Sequence, residues 1–224
     1  MMNPRYHFCF SVVVVSCLLA SYSQPLRAQQ LGYGFRAGVN FPGYSLSSGS
    51  SRSTVNFQVG AFAEVPLAGD YLSLQPGLTL QGKGAKGDWF FGFSPNDPHD
   101  PALTKFQQHT MWLDIPVNLL GKLRTSVAGF AFAGIGPYLG IGLSGKHKIG
   151  DTALEDNGTA FAFGKDKSLR GLDFGMNFTL GYQLPLGLQL YGSYGLGLVN
   201  LSPSDAYTQK NKVWTIGLGY SLEP

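Results

Sequence analysis

The chain has 224 residues, with 16 Lys and Arg against 13 Asp and Glu; only 13% of it is charged, and 31 residues are glycine. A charge density this far below the globular average, joined to a high apolar content, excludes a disordered chain. It also withholds the basic surface that a nucleic-acid partner requires.

Residues 1–28 read as an export signal: Arg5 gives a positive start, and Phe8 to Ala20 is an apolar run too short to span a membrane as a helix. Small residues allow cleavage after Ser23 or after Ala28, and we place it after Ala28, leaving a single domain over 29–224. Val14-Val15-Ser16-Cys17 has the look of a box preceding a lipidated cysteine. The apolar run continues past it through Leu18, Leu19 and Ala20, which favours ordinary cleavage. Loss of Arg5 and Arg27 brings the remainder close to neutrality. Both cysteines, Cys9 and Cys17, leave with the signal, so the mature part has no disulfide and no thiolate metal site.

From Leu31 onward the dominant signal is alternation with period two. Leu31, Tyr33, Phe35, Ala37, Val39 and Phe41 alternate with Gly32, Gly34, Arg36, Gly38 and Asn40. Val55 to Val65, Leu72 to Gln81 and Met111 to Leu119 repeat the pattern. Val127 to Leu143 is apolar or glycine almost throughout, and its faces are the least clear. Leu172 to Gln183, Leu186 to Leu198 and Trp214 to Leu222 alternate again. The count is about eight strands, long enough to cross a bilayer when tilted. Tight connections (Pro66–Asp70, Gly121–Ser126, Pro185–Gly187) alternate with long polar ones at 42–54, 84–108, 144–168 and 200–210. This layout predicts an all-β, antiparallel up-and-down transmembrane β-barrel, with both termini and the tight turns in the periplasm and the long loops outside.

A soluble barrel would alternate too. Here, however, the polar face is mostly glycine and small polar residues, suited to a narrow lumen, and the apolar face is nearly unbroken across strands. Tyr33, Phe41, Trp112, Tyr182, Trp214 and Tyr220 lie near strand ends, where interfacial girdles belong, although Trp112 has inward parity.

Three segments carry a family likeness: Trp112-Leu113-Asp114-Ile115-Pro116, Gly136-Pro137-Tyr138-Leu139-Gly140 and Asp173-Phe174-Gly175. With them the chain resembles the PorT-like outer-membrane β-barrel family along essentially its whole mature length. The acidic residue followed by Ile-Pro is the best local match. The resemblance implies a membrane barrel without catalysis; a link to protein secretion does not extend to every relative.

By parity Arg36, Glu64, Asp114 and Asp173 point inward, and an eight-stranded wall is narrow enough for them to meet across the lumen. Charges held there persist when paired. We expect a structural network that plugs the barrel, with Arg36 reaching Asp114 across the lumen and Glu64 as a second partner; a proton or ion path is the alternative. Trp89, Phe90, Phe91 and Phe93 form an aromatic run in an external loop. Such a run can cap the mouth, dip into the outer leaflet or contact a partner. His99, His109 and His147 fall in or beside external loops without the spacing of a catalytic motif. His147, Asp151, Glu155 and Asp156 do not match a calcium loop. Gly32-x-Gly34 and Gly195-x-Gly197 sit inside strands, so they are not nucleotide loops.

The reading is a barrel without cofactor or metal, embedded in outer-membrane lipid. Its role is structural, adhesive or that of an assembly or secretion accessory, through external loops that contact another envelope protein, and not enzymatic. The alternatives are a narrow channel or transport accessory and a lipid-modifying enzyme at the outer rim.

Overall fold

The computed structural model describes residues 31–47, 51–94, 97–125, 128–149, 152–153, 161–164, 167–203 and 208–222, with the backbone alone for 88–94, 97–106, 149 and 152–153. The alternating segments become eight long strands. These are β1 (Gly32–Leu46), β2 (Asn56–Ala68), β3 (Leu72–Ser94), β4 (Asp97–Arg124), β5 (Phe130–Ile149), β6 (Leu172–Gln183), β7 (Leu188–Gly197) and β8 (Gln209–Leu222). Each pairs antiparallel with its neighbours in sequence. β8 returns to β1 with Tyr33 opposite Leu222 and Leu46 opposite Gln209, which closes the ring. Closure joins the first and last strands, so that among the described residues the ring itself has no free edge, the condition that lets β structure sit in hydrocarbon.

The outer wall is the apolar face read from the sequence. Phe35, Val59, Leu78, Leu139, Phe174, Leu180, Leu190 and Ile216 are all exposed, Leu180 by 68%. Tyr33, Phe41, Trp214 and Tyr220 are also exposed near the ends of this band. Trp112 departs from the girdle expectation: it is fully buried inside the ring, as its parity required.

Four inward glycines each face an inward aromatic on the adjacent strand. Gly34 lies opposite Phe62, Gly175 opposite Tyr138, Gly181 opposite Phe132 and Gly217 opposite Tyr191. In each pair a Cβ on the glycine would run into the facing ring. The missing side chain on one strand therefore makes the bed for a large one on the next, which fills a narrow lumen without straining the wall.

Three of the long connections are shorter than the alternation suggested. β3 and β4 continue as one ladder as far as Ser94 and Asp97, β5 continues to Ile149, and β1 to Leu46. Backbone pairing needs no apolar face, so the ladder runs on where the alternation of residue types fades. Ser51–Arg52 adds a short pairing to β3, and Thr152–Ala153 one to β5. In β5 the register shifts between Gly142, opposite Trp112, and Ser144, opposite Met111. This bulge moves Ser144, Lys146 and Lys148 onto the outward face.

The β6–β7 turn depends on Gly187, whose φ is +83°. Its N–H donates to Leu184 O (2.9 Å), and a Cβ there would collide with Ser221 O. Gly187→Ala is expected to lower stability by about 1–3 kcal/mol, read as the urea unfolding midpoint in lipid vesicles. Gly121→Ala, where a Cβ meets nothing closer than 3.9 Å, should leave it unchanged.

Candidate functional site

The lumen is where polar chemistry concentrates, and it is built in three layers. At the end carrying the tight turns, Leu120, Phe132 and Tyr191 form a buried cluster with Phe62 beside it. Arg36 lies between two of these rings, its guanidinium 4.4 Å from the centre of Phe62 and 5.1 Å from that of Tyr191. Its Nη2 donates to Gln189 Oε1 at 3.4 Å. Glu64 is paired with Lys122.

The middle layer is ionic. Asp114 on β4, Gly140 on β5 and Asp173 on β6 stand in one cross-strand row. A Cβ at Gly140 would lie 2.7 Å from Asp114 Oδ1 and 3.5 Å from Lys83 Nζ, so glycine is what lets these groups converge. Lys83, reaching in from β3, places its ammonium 2.9 Å from Asp114 Oδ2 and 3.1 Å from Asp173 Oδ2. Tyr138 Oη (3.0 Å) and Asn211 Nδ2 (2.8 Å) donate to Asp173 Oδ2 as well. The faces of Tyr138 and Trp112 flank the ammonium at 4.7 and 5.1 Å. Lys83 is only 1% exposed. An ammonium so enclosed is tenable because carboxylates and ring faces replace its water.

Between these two layers lies a polar cavity of about 60 Å³, bordered by Arg36, Gln58, Gln81, Asp114, Asn177 and Ser193. It has room for a few water molecules and no more.

The third layer closes the opposite mouth. Trp112 packs edge-on against Phe163 (centroids 5.0 Å apart), and Phe163 against Phe161 (5.2 Å). Leu169 and Leu201, like Trp112, have no exposed surface and complete the cluster. Residues from the β5–β6 and β7–β8 connections therefore fold back into the ring, tied by Arg170 N–H to Leu201 O (2.9 Å) and Gly142 N–H to Gly171 O (2.8 Å).

Set against the sequence reading, Glu64, Asp114 and Asp173 face inward and each meets a cation, while Arg36 does not meet Asp114. Lys83 holds that position, and among the described residues no carboxylate lies within ion-pair distance of Arg36. Alternation alone does not single out Lys83, Lys122, Tyr138 and Asn211. The signal is nevertheless present: inward parity from Ser73 to Gln81 extends to Lys83, and parity from Asp114 to Asn118 extends to Lys122. A connection that begins at Gly84 leaves Lys83 at a strand end, and one that begins at Gly121 contains Lys122, both places where charge is expected to be solvated. The side chains of Trp89, Phe90, Phe91 and Phe93 lie outside the described residues. The aromatics seen capping the mouth are Trp112, Phe161 and Phe163.

His109 Nδ1 is 3.3 Å from Asn56 Nδ2, and its Nε2 is 2.7 Å from Gln107 Nε2. Burial, and then the neighbouring Lys148, lower its pKa below the usual imidazole range. His147 packs near the Phe161 ring at 5.8 Å. Asp151, Glu155 and Asp156, weighed with it as metal ligands, fall outside the described residues, as does the side chain of His99.

A closed eight-stranded ring, apolar outside and filled within, defines a β-barrel protein of the outer membrane. The chain belongs to the outer membrane protein beta-barrel domain family, whose model matches residues 22–202. No curated protein matches it significantly. Among solved structures it is similar to the outer membrane protein OprG of Pseudomonas aeruginosa, with 14% identity, 88% of this chain and 98% of that one covered, and a TM-score of 0.47. It is also similar to Ail, the attachment invasion locus protein of Yersinia pestis, solved with the heparin analogue sucrose octasulfate (11% identity, 86% and 99% covered, TM-score 0.42). A major outer membrane protein of Thermus thermophilus gives 16% identity, 86% and 99% coverage and a TM-score of 0.43. At these values the likeness adds nothing to the ring that the strands themselves define.

Proposed function

We propose that the protein is exported with residues 1–28 removed and sits in the outer membrane as a non-conducting barrel of PorT-like type. Its long hairpins project outside and serve a structural, adhesive or assembly role toward another envelope protein. The observation that carries this reading is the filled lumen: two buried apolar clusters, with the Lys83–Asp114–Asp173 layer between them. A pathway for ions needs continuous water, and the polar cavity of about 60 Å³ is far short of that.

The test is conductance of the purified protein in planar bilayers, with no stepwise current expected at neutral pH. Steady single-channel steps would sink the plug and favour the rival reading, a narrow channel through the polar cavity. Orientation is tested separately. Epitope tags at Asn96 and Asn157 should be reached by antibody on intact cells, whereas tags at Gly69 and Thr125 should need a permeabilised outer membrane. Exposure of the Gly69 tag on intact cells would reverse the orientation.

A further inference from the structure

Above the apolar band, at the end opposite the tight turns, the outer wall changes abruptly to cations. On β8 the outward series Leu218, Ile216, Trp214 continues as Lys212 and Lys210, opposite Gly43 and Ser45 of β1. On β3 the outward series Leu78, Leu80 continues past Gly82 and Gly84 to Lys86. On β5, beyond the bulge at Leu143, the outward residues are Ser144, Lys146 and Lys148. Arg52, Lys86, Gln107 and Lys148 form one cross-strand row over consecutive ladders, with Arg52 directly opposite Lys86. Lys86 and Lys148 fall on the same outward face of this row, and cations gathered on one face favour an anion over them.

Among the described side chains the carboxylates are Glu64, Asp70, Asp114 and Asp173, and none of these is on this belt. Lys86, Lys148, Lys210 and Lys212 form no ion pair with any described residue. In the backbone register Asp88 and Lys105 stand opposite each other further out. The Lys212 stem lies over Gly43, and Ser51 and Ser53 bring hydroxyl oxygens to the same spot.

We propose that this belt binds the phosphate groups of outer-leaflet lipid, with Lys86, Lys148, Lys210 and Lys212 as the contact cations. The location selects the occupant. Trp214 marks the interface, and Lys212 is the next outward residue beyond it, at the height where headgroup phosphates begin. An ammonium there keeps its stem on the apolar wall and its charge among the phosphates. The proposal rests on the orientation given above, which puts this end in the outer leaflet.

The test compares unfolding midpoints of the full barrel in phosphatidylcholine vesicles with and without phosphatidic acid. The wild type should gain stability when phosphatidic acid is present. K86Q/K148Q/K210Q/K212Q should lose most of that gain while keeping the wild-type midpoint in phosphatidylcholine alone. K167Q, which removes a loop cation away from the wall, should retain the gain. In detergent, native mass spectrometry should show phosphatidic acid retained about fivefold more weakly for each lysine removed. An equal gain for wild type and quadruple variant overturns the proposal, and so does an equal gain from inorganic phosphate, which would make the belt a soluble-anion site. Labelling of K86C by an impermeant reagent only after permeabilisation would overturn the orientation while leaving the vesicle result intact.

Discussion

Lys83→Met should lower the stability of the barrel by about 3–5 kcal/mol, measured as the urea unfolding midpoint in lipid vesicles. The ammonium is the cation shared by Asp114 and Asp173, and both carboxylates are buried. Its loss leaves two like charges facing each other over Gly140, with only Tyr138 and Asn211 to donate to Asp173. Asp114→Asn alone should cost less, because Lys83 keeps Asp173. The combination K83M/D114N/D173N should recover much of the K83M loss, since no lone buried charge remains. Arg36→Met should be milder than Lys83→Met, because Arg36 stacks on Phe62 and Tyr191 rather than neutralising a contacting carboxylate. Equal losses at Arg36 and Lys83 would show that the charges act through the field of the whole lumen rather than through these contacts.

The second large effect is expected on the outer wall. Leu180→Arg places a guanidinium in the middle of the lipid-facing band and should cost roughly 2–4 kcal/mol in a bilayer. Leu186→Arg should cost about 0–1 kcal/mol, because Leu186 lies in the tight β6–β7 turn, at the interface. Both leucines are well exposed, at 68% and 83%. Exposure alone therefore predicts equal tolerance, and only a surrounding hydrocarbon predicts the difference. Small and equal losses at the two positions would return the wall to water.

The sequence alone determined the class of fold, because a barrel's two faces are written directly into a period of two. Tyr33, Phe35 and Val39 had to face one solvent, and Gly34, Arg36 and Asn40 another, whatever the rest of the chain did. It also placed Glu64, Asp114 and Asp173 on the inner face, since parity holds as long as a strand is unbroken. What parity cannot say is which strands lie across from one another, or at what height. The choice of Lys83 over Arg36 as the partner of Asp114 follows from the register of β3 against β4 and from the clear space over Gly140, both products of closure. The outer ends were hidden for a different reason. From Gly84 to Ser94 and from Asp97 to Gln108 the residue types follow no period of two, and β3 and β4 extend there on backbone hydrogen bonds that leave no pattern in side-chain type. The mouth cluster of Trp112, Phe161, Phe163, Leu169 and Leu201 joins a strand to two separate connections, and only the closed ring brings those segments within reach of one another.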